Sequence, residues 1–123
     1  CIVNQDKRIV AVGYNGLPKN CIDEEYPWAN RVGELQDTKY AYVVHAELNA
    51  ILTATTPRKG CSLYVTLYPC NECVKSIIQS GIAEIIFEDN KYEGKDFDLA
   101  AKKMLQSANI KVRQFKGAPI ELK

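Results

Sequence analysis

The chain has 123 residues, 46% hydrophobic and 25% charged, the balance of an ordinary globular protein with enough apolar material for one domain and its core. A net charge of +1 offers no broad basic field for a long nucleic acid, and no apolar run is long enough to span a membrane. Five cysteines are an odd number with no small disulfide framework, which fits a reducing, intracellular setting.

In chain order, residues 1–3, the turn residues Asn4, Gln5, Asp6 and Lys7, and residues 8–13 read as a β-hairpin. The run Ile9-Val10-Ala11-Val12 is nearly continuous apolar sequence, as expected of a strand buried on both faces. Cys1-Ile2-Val3 reads as the middle of a strand, so the chain is expected to lack an N-terminal element. Gly13-Tyr14-Asn15-Gly16 is a tight turn, either a plain loop or one whose amides approach a ligand. Residues 15–44 show little periodicity; a loop of that length is usually functional, and a short helix over residues 31–35 is expected within it.

Residues 45–55 are the first strongly periodic helix, with Leu48, Ile51 and Leu52 on one face. Ser62–Leu67 reads as a strand, Asn71–Ser80 as a helix ended by Gly81, and residues 82–87 as a buried strand. A polar loop, a helix over residues 96–108 and a strand over residues 111–115 follow, and the tail from Gly117 looks peripheral. Phe97, Leu99, Ala100, Met104 and Leu105 are the expected packing residues of that last helix. Helix alternating with strand predicts parallel pairing through right-handed crossovers, and the hairpin at the front makes the sheet mixed. No composition shift or repeat divides the chain, so residues 1–123 are read as one domain.

The chemistry is concentrated in His45-Ala46-Glu47 and Pro69-Cys70-Asn71-Glu72-Cys73, an H-x-E…P-C-x-x-C pattern. One imidazole and two thiolates suit Zn²⁺ and leave a fourth position open. Cys70 and Cys73, three apart, share a helix face. At a helix N-terminus the positive field favours the thiolate form. Glu47, two residues from His45, can move protons without binding the metal. A closed Cys3His site using Cys21 or Cys61 would need neither Glu47 nor Pro69, and a redox C-x-x-C pair would not need His45, the only histidine of the chain. Cys21 and Cys61 are otherwise read as small buried residues.

His45-Ala46-Glu47-Leu48-Asn49-Ala50-Ile51, Tyr68-Pro69-Cys70-Asn71-Glu72-Cys73 and Gly13-Tyr14-Asn15-Gly16, with Asp37-Thr38-Lys39-Tyr40 and Ser80-Gly81-Ile82, together resemble the deoxycytidylate (dCMP) deaminases of the cytidine deaminase-like superfamily. The similarity runs from the first residues to about Phe115. It implies a three-layer α/β/α fold with a mixed five-stranded sheet. It implies zinc-dependent hydrolysis of dCMP to dUMP and ammonia, supplying dUMP for thymidylate synthesis in the cytoplasm. His45, Cys70 and Cys73 would hold Zn²⁺, with Glu47 as the catalytic proton carrier. Ala46 and Thr66 would read the base, Tyr92 would pack on it, and Lys91 would meet the phosphate. Gly13, Tyr14, Asn15 and Gly16 would bind nucleotide effectors, dCTP activating and dTTP inhibiting, in a homohexamer without nucleic-acid or membrane partners. The family carries a further helix and an Asn-containing loop before the position of Cys1. The alternative within the same chemistry is deamination of a base in RNA or DNA, which would need a basic groove or a stacking platform.

Overall fold

The structure, a computed structural model, describes residues 1–27 and 34–117. Its sheet has five strands in the order β2-β1-β3-β4-β5. The hairpin forms as expected: β1 (Ile2–Val3) and β2 (Ile9–Ala11) pair antiparallel. The turn between them is closed by the Asn4 side chain, whose Oδ1 accepts the N–H of both Asp6 and Arg8 at 3.0 Å. The reading of residues 9–12 as buried on both faces is wrong. β2 is the edge strand, and Ile9 and Val12 are 64% and 66% exposed. An edge strand lacks a neighbour on one side, and continuity of apolar residues does not distinguish that position from a central one.

β1 also pairs antiparallel with β3 (Ser62–Leu67), and β3, β4 (Glu84–Asp89) and β5 (Lys111–Gln114) run parallel. Three helices fill the connections: α1 (Ala46–Thr53), α2 (Asn71–Ser80) and α3 (Asp96–Ser107). Both expected parallel crossovers are therefore present. α1 packs on α2 and α2 on α3. Ala50 and Ile51, Val74 and Ile77, and Ala101 and Leu105 form one buried cluster with Ile2, Leu63 and Ile85 of the sheet. Among the described residues all three helices thus line one face, supplying the sheet and one helical layer. On the opposite face Ser62 donates to Glu84 at 3.4 Å, Arg113 pairs with Glu84 at 3.6 Å, and Ile86 is buried.

Local signals account for the helix ends. Gly81 closes α2 in the left-handed region at φ 86°, where a side chain would be strained, and its N–H donates to Ile78 O at 3.1 Å. The α1 face is Ala50 and Ile51, whereas Leu52 is 69% exposed, correcting its expected place in the core. Phe97, Leu99 and Ala100 are likewise exposed; the inward stripe of α3 is Asp98, Ala101 and Leu105, with Met104 partly buried. Small Ala101 and a paired acid form this stripe, so a search for bulky apolar residues points to the wrong side. The expected short helix over residues 31–35 falls largely outside the described residues. At its end Leu35 opens a single 3-10 turn, Leu35–Asp37, and two more such turns are Asp23–Glu25 and Lys39–Ala41.

Candidate active site

β3 ends at Leu67, and Tyr68 and Pro69 turn the chain into α2. Cys70 is the residue that caps α2, and Cys73 lies in its first turn; His45 takes the same capping place before α1. Side-by-side packing of α1 and α2 then brings the two N-termini together. His45 Nδ1 lies 3.3 Å from Cys73 Sγ and 3.6 Å from Cys70 Sγ. A tetrahedral zinc with ordinary Zn–N and Zn–S bonds spaces its nitrogen and sulfur ligands about 3.6 Å apart. The donor set matches that spacing and chemistry, and three donors leave one position open.

The electrostatics of the triad are those of donors forced together. Cys70 is held down at about 4, chiefly by its hydrogen bond with Cys73 and further by His45. Cys73 is pushed up by the same hydrogen bond and by burial. His45 is raised, chiefly by its hydrogen bond with Cys70. Among the described residues these three form the one group of His, Cys, Asp or Glu ligand atoms gathered closely enough to hold a metal. Cys61 is buried elsewhere, with its Sγ 3.8 Å from Pro57 O, and Cys21 is outside the group. The closed Cys3His alternative is therefore not assembled, and all five cysteines are free.

Glu47 lies one turn residue beyond Ala46 and borders a small cavity of about 100 Å³, with Cys1, Gly13, Ala46, Tyr64 and Thr66 among its walls. Burial raises the Glu47 carboxyl, opposed by its own backbone N–H and by His45. A carboxyl so placed holds a proton more readily than a solvated one, which suits a group that must accept and return protons. Three expected neighbours (Glu47, Ala46 and Thr66) are thus brought to one cavity beside the metal ligands.

Gly13-Tyr14-Asn15-Gly16 has a definite structural job. Asn15 Oδ1 accepts the Ala46 N–H at 2.8 Å, satisfying a free donor at the start of α1. Asn49 Nδ2 donates to Tyr14 O at 2.8 Å, and Gly16 forms a bridge with Val44. A Cβ on Gly13 would fall 2.2 Å from Ala46 O, so only glycine permits this approach. Three of the four residues therefore brace the helix that carries His45 and Glu47.

Tyr92 and Lys91 are not on the cavity wall. They occupy the loop after β4, at the same end of the parallel strands as Cys70, where the Tyr68 N–H donates to Asp89 O at 2.8 Å. Lys91 Nζ stands 5.1 Å from the Tyr92 ring centroid, and that ring meets Phe97 edge-on at 5.5 Å. Sequence reasoning missed Tyr64 as a wall residue and Asp98 as the anchor of this loop. The signal for Asp98 was an acid in the first turn of a helix, able to reach back to the preceding N–H.

The comparisons with known proteins agree with this geometry. Residues 1–89 match the family model described as the cytidine and deoxycytidylate deaminase zinc-binding region. Over 116 residues, 94% of the chain, it is 50% identical to deoxycytidylate deaminases from Homo sapiens and from Pongo abelii. It spans 65% of the length of each of these relatives. A solved dCMP deaminase from the cyanophage S-TIM5, in complex with dCMP and dUMP, superposes with a TM-score of 0.67 at 26% identity, covering 93% of this chain and 77% of that one. The fold, the zinc-ligand geometry and the matched motifs together place the chain in the cytidine and deoxycytidylate deaminase family.

Proposed function

We infer that the protein catalyses hydrolytic deamination of dCMP to dUMP with release of ammonia. The observation that carries this is the His45, Cys70 and Cys73 triad at zinc-ligand spacing beside a cavity that Glu47 borders. The relatives named above support the choice of substrate, as does the phage enzyme solved with dCMP and dUMP.

His45, Cys70 and Cys73 would hold Zn²⁺. When bound, zinc supplies a Lewis-acidic centre that lowers the pKa of water toward neutrality. Glu47 accepts a proton from the attacking water and passes it to ring N3, then carries the second water proton from the C4 hydroxyl to the amine at C4. The C4–N bond breaks as the C4–O bond is completed, so dCMP and water yield dUMP and ammonia. Burial raises the Glu47 carboxyl, so it holds a proton more readily than a solvated carboxyl would. Groups near Ala46 and Thr66 contact the base edge. Tyr92 packs on the pyrimidine and Lys91 meets the phosphate from the neighbouring loop.

Regulation by dCTP as activator and dTTP as inhibitor belongs to the same reading, with Gly13, Tyr14, Asn15 and Gly16 as the effector contacts. It rests on family resemblance; Asn15 Oδ1 accepts the Ala46 N–H, between His45 and Glu47 in sequence, so a ligand of this turn would act next to the site. The homohexamer, the supply of dUMP for thymidylate synthesis and a cytoplasmic location rest on family resemblance, the last also on five free cysteines. The test is ammonia release from dCMP, with cytidine, dCTP and an oligonucleotide as comparators, each with and without dCTP as effector. Turnover of dCMP, raised by dCTP, is expected. Turnover confined to the oligonucleotide would replace the nucleotide reading with a nucleic-acid one.

A further inference from the structure

The loop that carries Lys91 and Tyr92 is built on a buried acid in α3. Asp98 is 2% exposed. Its Oδ2 accepts the Gly94 N–H at 2.9 Å and meets Lys102 Nζ at 2.9 Å, and its Oδ1 accepts Asn90 Nδ2 at 3.5 Å. The two ends of the 90–94 loop therefore converge on one carboxylate. Within the loop the Glu93 N–H donates to Asn90 O at 3.2 Å and the Lys95 N–H to Tyr92 O at 3.1 Å, while Gly94 sits at φ 87°. Lys102 grips the loop a second time through Glu93 Oε1 at 3.5 Å.

The same lysine connects the loop to the metal-bearing turn. Its Nζ lies 5.5 Å from the ring centroid of Tyr68, two residues before Cys70. Burial alone would raise the Asp98 carboxyl, but Lys102 and the Gly94 N–H hold it below its usual range, so it serves as a fixed charge. An acid on the inward face of a helix needs such partners. Here two of them are loop groups and the third is an ammonium that also faces Tyr68.

We propose that Asp98 is a positioning residue for substrate specificity: its carboxylate fixes the 90–94 loop so that Tyr92 and Lys91 meet the nucleotide, which favours the phosphorylated substrate over the nucleoside. This rests on the reading of Lys91 and Tyr92 given above. Asp98 touches no reacting atom, and its effect falls on substrate binding.

The test compares kcat and KM for dCMP and deoxycytidine in the zinc-loaded protein, in Asp98→Asn and in Gly94→Ala. Asp98→Asn removes the charge at nearly constant volume. Gly94→Ala leaves Asp98 in place and strains the loop through its positive φ alone, since a Cβ there meets nothing within 4 Å. Each variant is expected to lower the dCMP-to-deoxycytidine ratio of kcat/KM by about tenfold, the worth of a charged hydrogen bond, through KM with kcat and zinc content retained. The double variant should lose little more than either single one. An unchanged ratio in Gly94→Ala overturns the proposal even where Asp98→Asn fails to fold. Parallel loss for both substrates through kcat overturns it too. A parent protein that does not prefer dCMP overturns the substrate reading itself, and the role of Asp98 falls with it.

Discussion

Gly13→Ala tests whether the hairpin braces the site helix as tightly as the backbone geometry requires. The new methyl carbon would stand 2.2 Å from Ala46 O and 2.6 Å from Ala50 N, against 3.4 Å or more for ordinary contact. Both obstacles are helix backbone, so no side chain can rotate away. Relief demands about 1 Å of separation between the end of the hairpin and α1, at a cost of about 1–3 kcal/mol, the usual range for overpacking. The displaced turn carries His45 and Glu47, and a misplacement of about 1 Å lowers turnover about 10²-fold. Urea denaturation would read the stability loss, zinc content per chain the ligand geometry, and ammonia release from dCMP the activity. Gly16→Ala is the stability control, because its methyl carbon would find only the Tyr14 ring, at 3.6 Å; its stability should stay within about 0.5 kcal/mol of the parent. Parent-like stability and turnover in Gly13→Ala would refute the brace and leave the glycine without a packing reason.

The other predictions concern the ligands, the proton carrier, the core and the buried ion pair. Glu47→Gln should lower turnover by at least about 10²-fold, the smaller end of what a positioned acid–base group contributes, with zinc content retained. Equal loss of zinc would mean that Glu47 is structural. Cys73→Ser should bind zinc substoichiometrically, and a chelator that lowers the Tm of the parent should no longer shift the variant, because ligands on α1 and α2 are joined through the metal. Ile77, fully buried between α2 and the sheet, should cost about 2–5 kcal/mol on replacement by Ala; a loss below this range in urea titrations would show that the site collapses around the missing atoms. Asp98 is lowered and Lys102 raised, so their contribution is present from above the unfolded Asp pKa to below the unfolded Lys pKa. It is lost as pH falls through the folded Asp98 pKa or rises through the folded Lys102 pKa. The stability gap between the parent and Asp98→Asn should therefore be wide at pH 7 and shrink toward pH 3, and a gap independent of pH would remove charge from the explanation.

The site was legible because coordination chemistry constrains residue type and spacing together. A zinc ion accepts few side chains, a helix turn fixes the separation of Cys70 and Cys73, and a proton carrier must be a titratable group that the metal leaves free. His45 and Glu47 meet those demands within one tripeptide, and the structure brings them to the same place as the cysteines. The mixed pairing of the sheet was legible for a similar reason, since an opening hairpin pairs antiparallel and strands joined through helices pair in parallel. The core of α3 was not. Its inward face holds Ala101 and a charged residue, Asp98, and side-chain hydropathy says nothing of an acid whose partners come from a loop.

Residues 13–16 show where the two kinds of information meet. Two glycines and an asparagine read equally as a plain loop and as a ligand-facing turn, because both need backbone freedom and short polar side chains. The structure gives the residues a task that neither reading contained. Gly13 lets the hairpin approach α1, and Asn15 satisfies the amide between His45 and Glu47. A nucleotide that engaged Asn15 would compete for the bond that holds the first turn of that helix, so packing and regulation would act on the same few atoms. The brace and the effector reading are therefore separable by experiment. Gly13→Ala should weaken the fold whether or not any nucleotide is added, whereas an effector response, on the reading proposed above, would depend on the group that Asn15 offers to its ligand.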